Sequence, residues 1–372
     1  MKKILITCTD MMMIQFLVPH VRNLAENGFE VEIACSVVGD RIGDVRSALS
    51  GTVKAIHTLR LERSPVSPRN ILGYGDMKRL LARNHYDIIW TNEPVMGVVT
   101  RLAANRYRKR GTKVVYMCHG FHFFKGADIG SWMVFYPIER LLSRCCDMIV
   151  TINREDEARA KTFHCPRVEY IHGIGVNTER LHKRNEQSNI RAELGLAETD
   201  FLLLSVGELN ENKNHQVILR ALAELRDENI HYLLCGKGEL LDRLKALATQ
   251  LGISEQVHFL GYRNDVVDIC AQADVFVLPS RREGLSVASL EAMYCGMPLI
   301  TSKVRGSEDY LQEGLSGFLR DSEDVSGFLD AICRLKENNY LRSNCGKFNR
   351  ESVVPYCVNN VEREIEDILK NI

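Results

Sequence analysis

Short apolar runs rich in β-branched residues alternate along this chain, from its first residues onward, with longer stretches whose apolar positions recur at helical spacing. Few architectures accept that order. Strand, helix and strand in succession build parallel sheets with crossover helices on their faces. In the first half the candidate strands are KILIT (3–7), EVEIA (30–34), VKAIHTL (53–59), DIIW (87–90), KVVYM (113–117), DMIVT (147–151) and VEYI (168–171). Residues 15–27 read as a helix, with Gly28 where a C-terminal cap belongs. The pattern lapses over the polar stretch 177–200, which reads as a linker, and resumes with FLLLSV (201–206), HYLLC (231–235), VHFL (257–260), VFVL (275–278) and PLIT (298–301).

A chain of 372 residues is too long for one compact core and comfortable for two. The expected fold is α/β: two Rossmann-like doubly wound domains facing a cleft. The boundaries are expected at 1–178 and 179–350, followed by a C-terminal helix (351–372) that packs back on the first domain. That last stretch carries Val361, Ile365, Ile368 and Leu369 at helical spacing. In open parallel sheets ligands sit beyond the carboxyl ends of the strands, so chemistry is sought in the residues that follow each strand.

The formal net charge is zero, so no global field recruits nucleic acid, and none is expected as a partner. Polar residues Thr7, Thr9, Asp10 and Gln15 interrupt the apolar N-terminal stretch, which reads as a buried strand and not as a signal peptide. No run approaches the about 18 apolar residues of a membrane span. The twelve cysteines are scattered without a Cys-x-x-Cys pair and read as small hydrophobes in a reducing cytoplasm.

The segment PSRREGLSVASLEAMYCGMP directly follows VFVL. Small residues around Gly284, Leu285, Ser286 and Val287 suit a loop turning into a helix, whose free N–H groups and dipole seat a phosphate. Ser286 also suits a plain N-cap, with Ser289 in the first turn. Glu283 and Glu291 are eight positions apart, roughly 12 Å if both were helical, too far for the carboxylate pair of a glycosidase. The segment resembles the retaining glycosyltransferases of family 4, which have the GT-B fold and carry Glu, seven residues, Glu within P-S-x-x-E-G-x-x-x-x-x-x-E-A-x-x-x-G-x-P. All of those elements stand here, at Pro279, Ser280, Glu283, Gly284, Glu291, Ala292, Gly296 and Pro298.

The resemblance implies a nucleotide-sugar donor, UDP-linked, held by the second domain, and an acceptor held by the first. It gives Glu291 the ribose hydroxyls and puts Glu283 near the donor sugar and diphosphate. Lys213, in the loop after FLLLSV that begins at Gly207, is implied at the diphosphate, where its ammonium is a point cation. The family usually carries arginine where Glu208 stands, which leaves the diphosphate one cation short, with Arg282, Arg305 and Lys237 as substitutes. The turn at Gly236 lies beside the nucleotide, and backbone groups near Tyr262 and Arg263 read uracil or form an ordinary turn. His119, after KVVYM, is implied over the donor sugar; His119 and His122 also form an HxxH pair, with no third or fourth metal ligand evident nearby. The first loop, 9–13, lacks the paired glycines that many members have.

Together GELNENKNH, HGFHFFKG and HGIGVNTERL are most similar to the capsule and exopolysaccharide branch, which implies transfer to a lipid-linked or polysaccharide hydroxyl. A UDP-sugar 2-epimerase of the same fold and a non-catalytic nucleotide-sugar-binding partner are the alternatives. Arg101, Arg106, Arg108, Lys109 and Arg110 cluster after an apolar helical stretch and read either as a solvated helix end or as a contact with anionic lipid. The expected location is cytoplasmic, peripheral on the inner face of the plasma membrane.

No Asp-x-Asp occurs in the chain, so neither a metal nor another cofactor is expected, and Lys213 with the helix N-terminus must neutralise the leaving diphosphate. Activity is accordingly expected to survive EDTA. Assays of nucleotide release with chelator, and after adding back magnesium or manganese, check this, and a metal-restored loss contradicts it.

Overall fold

The computed structural model describes residues 1–37, 42–182 and 188–372, and for Ile42 and Gly43 the backbone only. The chain divides into one compact unit of Met1–Gly175 with Val358–Ile372 and a second of Val176–Cys357. The first holds strands β1 (Lys2–Asp10), β2 (Phe29–Ser36), β3 (Ala55–Thr58), β4 (Ile88–Asn92), β5 (Lys113–Cys118), β6 (Met148–Thr151) and β7 (Arg167–Tyr170), in the order β3-β2-β1-β4-β5-β6-β7. The second holds β8 (Phe201–Val206), β9 (Ile230–Cys235), β10 (Val257–Gly261), β11 (Val275–Leu278), β12 (Leu299–Ser302) and β13 (Gly317–Arg320), in the order β10-β9-β8-β11-β12-β13. All the ladders in both sheets are parallel. The expected pair of doubly wound domains is therefore present.

Both faces of each sheet are covered, which is why the strands read as near-continuous apolar runs. In β8, Phe201 and Leu203 enter the core on one face, with Val217, Ile218, Tyr232 and Phe328. Leu202 and Leu204 enter the other, with Phe276, Leu290, Met293 and Leu299. Buried apolar area contributes about 25 cal/mol per Å², so such strands dominate the stability of each unit.

Several local readings change. The first strand runs to Asp10 and the helix Met11–Glu26 follows at once, so there is no loop over 9–13. Asp10 itself caps that helix, its carboxylate accepting from the Met13 N–H at 3.2 Å. Strand β13 has only four residues, GFLR, too short and mixed for its pattern to stand out. The polar stretch 177–200 contains helices Thr178–His182 and Ile190–Leu194, and its residues 183–187 lie outside the described ones. The C-terminal helix Val358–Lys370 buries Val358, Val361, Ile365 and Leu369, and packs on the helix Met11–Glu26 within the first unit. Polar ties hold it there: Glu364 accepts from the His172 backbone N–H at 3.0 Å and Glu366 from the Asn23 amide at 3.3 Å.

Arg101 is the largest change. It lies on the helix Pro94–Arg108, fully buried, with its guanidinium 4.0 Å from the centre of the Tyr116 ring. Glu139 on the helix Ile129–Leu142 balances its charge at 2.8 Å and also accepts from the Tyr116 hydroxyl at 3.2 Å. Gly97 makes the approach feasible, because a Cβ there would lie 2.6 Å from the Tyr116 ring. Breaking a buried pair leaves an uncompensated charge, whereas replacing both partners does not. Arg101→Met is therefore expected to destabilise the first unit by about 3 to 5 kcal/mol, and Arg101→Met with Glu139→Leu to recover most of it, as read by urea melts.

Candidate active site

Parallel order places a switch point in each sheet, where the strands on either side of a central strand connect in opposite directions. In the second unit it lies between β8 and β11. The loop after β8 brings Lys213, and the loop after β11 brings Glu283; the ammonium donates to the carboxylate at 2.7 Å, with both side chains mostly buried. Backbones crowd around them. A Cβ on Gly236 would lie 1.7 Å from the Gly207 carbonyl, and one on Gly306 2.4 Å from that of Gly284, so the loops after β9 and β12 close on those after β8 and β11 only through glycine. Arg305, nearly buried, donates from Nε to the Glu283 carbonyl at 3.1 Å. Glu208 is exposed and accepts from Asn210 at 2.9 Å; Arg282 and Lys237 are exposed as well.

Ser286 caps the helix Val287–Tyr294, its hydroxyl accepting from the Ser289 N–H at 3.2 Å, and Gly284 and Leu285 form the approach. Glu283 thus stands before this helix and Glu291 inside it, and the two carboxylates have different surroundings. Glu291 is mostly buried, and burial raises its pKa above the ordinary carboxylate value while an ion pair with Arg180 opposes the rise. Arg180 comes from the helix Thr178–His182 and lies within the HGIGVNTERL segment, but nothing in its spacing marks it as the partner of a residue 111 positions away. Tyr262 and Arg263 follow β10 at the sheet edge. Tyr262 is half exposed, and the Arg263 guanidinium is engaged by Glu193 and Asp265 at 2.7 to 2.9 Å.

The first unit has its switch point between β1 and β4. Here the sequence reading missed the central residues. Glu93, directly after β4, adopts φ 65°, a left-handed conformation costly for a side chain of its size. Its carboxylate accepts from the Thr9 N–H at 2.8 Å. Burial, the Thr9 hydrogen bond notwithstanding, and neighbouring Asp10 push its pKa up to about 7. Asp10 in turn pairs with Arg63. His119, after β5, meets the Asn92 side chain at 3.0 Å, and burial lowers its pKa to about 4, so the imidazole is neutral at pH 7. His122 instead stacks near Phe135, ring centres 4.7 Å apart. Among the described residues no group of three or more His, Cys, Asp or Glu could hold a metal ion.

The basic cluster is divided by the structure. Arg101 is interior and cannot meet a membrane. Arg108 is consumed by Asp147, two contacts at 2.9 Å, and by the carbonyls of Arg144 and Cys146. Arg106, Lys109 and Arg110 are exposed. Also among the described residues, no helix is long and apolar enough to cross a membrane.

The family described as Glycosyltransferase Family 4 matches residues 17–180, and that described as Glycosyl transferases group 1 matches 186–352. EpsD of Bacillus subtilis (strain 168) is 35% identical over 99% of this chain and 96% of its own. The chain belongs to the group 1 and family 4 glycosyltransferases. Another relative of this glycosyltransferase is the UDP-Gal:alpha-D-GlcNAc-diphosphoundecaprenol alpha-1,3-galactosyltransferase of Escherichia coli, 28% identical over 87% of this chain and 84% of that one. Among solved structures, Anabaena Alr3699/HepE in complex with UDP superposes with a TM-score of 0.80 over the whole of both chains at 17% identity, which supports the GT-B fold.

The raised pKa of Glu93 has a consequence for stability. Its carboxyl is held more tightly protonated in the fold, near 7, than its ordinary 4.5. The stabilisation is thus complete below about 4.5 and is lost as pH rises through about 7. Glu93→Gln keeps an acceptor for Thr9 and cannot ionise, so it is expected to be more stable than the parent by about 1 to 3 kcal/mol at pH 8 and nearly indistinguishable at about pH 4, measured by thermal melting at both values.

Proposed function

We propose that this glycosyltransferase moves a hexosyl or N-acetylhexosaminyl group, with retention, from a UDP-linked donor to a hydroxyl of a lipid-linked saccharide in the assembly of a capsule or exopolysaccharide. The observation that carries the reading is the Lys213–Glu283 pair at the switch point of the second unit, beside a capped helix N-terminus and two glycine-only backbone approaches. A cation, a helix dipole and free N–H groups converging where strand order reverses are what a diphosphate needs. The printed names of two similar proteins, one using UDP-Gal with a diphosphoundecaprenol acceptor and one solved with UDP, support the choice of donor and acceptor class.

In this scheme Lys213 is held by Glu283 before the donor arrives, so its ammonium is already desolvated and positioned, and the negative charge that develops on the leaving diphosphate meets a preorganised donor. Glu291 accepts from the ribose hydroxyls, exchanging Arg180 for them or sharing it. Gly284, Leu285, Ser286 and Val287 offer backbone N–H groups to the phosphates, and Gly207 and Gly236 leave room for the nucleotide. Neutral His119 serves as a hydrogen-bonding group toward the donor sugar without adding charge.

The roles separate kinetically. Glu291→Gln weakens hydrogen bonds made alike in ground and transition states, so donor affinity is expected to fall by about 1.5 to 3 kcal/mol with turnover nearly kept. Glu283→Gln and Lys213→Ala act where charge changes, and are expected to lower turnover by about 10²-fold or more with a smaller effect on binding. Calorimetry with UDP and full kinetics on each variant check this division. Normal UDP binding by Glu291→Gln together with normal turnover in all three variants would leave the segment as a capped helix only.

A further inference from the structure

Helix Ile129–Leu142, of sequence IGSWMVFYPIERLL, has two apolar faces, although only one is needed to hold it in the fold. Its inner side is accounted for: Trp132, Phe135 and Tyr136 pack on the core that contains Phe123 and Phe163, and Glu139 meets Arg101. Its outer side carries Ile129, Met133, Val134, Ile138 and Leu141, which are 77%, 72%, 53%, 40% and 61% exposed. At about 100° per residue Met133, Val134, Ile138 and Leu141 form a stripe within about 140° of the helix circumference, opposite Trp132, Phe135, Tyr136 and Glu139, with Ile129 at the border of that face. Leu102, 46% exposed on the neighbouring helix Pro94–Arg108, adds to the same unit's apolar surface. Large side chains exposed to this degree sum to several hundred Å², comparable with or above the about 300 to 600 Å² of the largest patch on an ordinary monomer.

The exposed charges around the stripe are mostly basic; the acids near its N-terminal end are Asp128 at the N-cap and Glu155, which accepts from the Lys125 backbone N–H at 2.7 Å. Lys125, Arg140 and Arg144 are exposed before, within and after the helix, and Arg106 is exposed on the neighbouring one. The only acid inside the helix, Glu139, is buried and neutralised by Arg101. At the N-cap, Asp128 is occupied by the Ser131 N–H and hydroxyl, at 2.9 and 2.7 Å. We infer that this face docks on an anionic lipid bilayer, with Met133, Val134, Ile138 and Leu141 entering the acyl boundary and Arg140, Arg144 and Lys125 meeting headgroup phosphates. A helix lying in the interface needs this combination of an apolar face and basic flanks. A second copy of the chain is the competing occupant of this face, and the sedimentation arm of the test distinguishes it. The inference goes beyond the proposed reaction and requires neither its donor nor its acceptor. It also places lipid contact on the helix that follows the basic segment, with Arg101 acting from beneath by holding Glu139.

The test uses the full-length protein in flotation with vesicles of phosphatidylglycerol and phosphatidylethanolamine, and with vesicles of phosphatidylcholine alone. The parent is expected to float with the anionic vesicles. Met133→Ser with Val134→Ser and Ile138→Ser is expected to lose at least tenfold in vesicle affinity at any salt concentration. Arg140→Gln with Arg144→Gln is expected to abolish the preference for anionic lipid. All these positions are exposed, so melting temperature and UDP affinity are expected to match the parent; UDP binding measured on the same samples keeps a failure of the donor reading distinct from a failure of this one. A parent that does not float, or a triple-serine variant that floats as the parent does, overturns the inference. So does sedimentation of the parent as a dimer that the serine variant converts to monomer without any change in flotation.

Discussion

Pairing every strand of both sheets in parallel constrains all that follows. Parallel strands need a crossover helix each, the helices bury both sheet faces, and no polar side chain can be used for chemistry along a strand interior. Functional groups are pushed to the carboxyl ends, and the places where connections diverge are left uncovered. Lys213 with Glu283 joins the loops after β8 and β11, and Thr9, near the end of β1, with Glu93, directly after β4, holds the corresponding switch point of the first unit. One topological rule therefore produces a charge pair in one unit and, in the other, a carboxyl in a left-handed conformation whose pKa burial pushes up to about 7.

Burial then determines how each charge is used. Arg101 and Glu139 are deep enough that each needs the other, and Tyr116 contributes its ring and hydroxyl to both. Lys213 and Glu283 are mostly but not fully buried, a state in which an ion pair is worth more than on a surface. Arg180 opposes but does not cancel the rise that burial gives the Glu291 carboxyl. His119 is kept neutral by the same desolvation. Glycine serves the site by letting main chains touch: Gly236 lies against the Gly207 carbonyl and Gly306 against that of Gly284, approaches that any side chain would block.

Amino-acid order by itself determined the strand positions, the α/β class and the segment from Pro279 to Pro298, because those signals are local: an apolar run, a periodicity, a turn into a capped helix. It also brought Glu283, Lys213 and His119 into view, each lying just after an apolar run. Only the tertiary structure decided which charges face one another. Arg180 and Glu291 are 111 positions apart, and Arg63 reaches Asp10 across 53, separations over which neither periodicity nor spacing carries information. The same holds for burial of a charge: in sequence Arg101 and Arg106 look alike, yet a Gly97 that admits the Tyr116 ring and a Glu139 from another helix make the first an interior residue. The apolar stripe of the helix 129–142 was hidden for the opposite reason, since a helix hydrophobic on both sides reads as buried until its neighbours are known to cover only one of them.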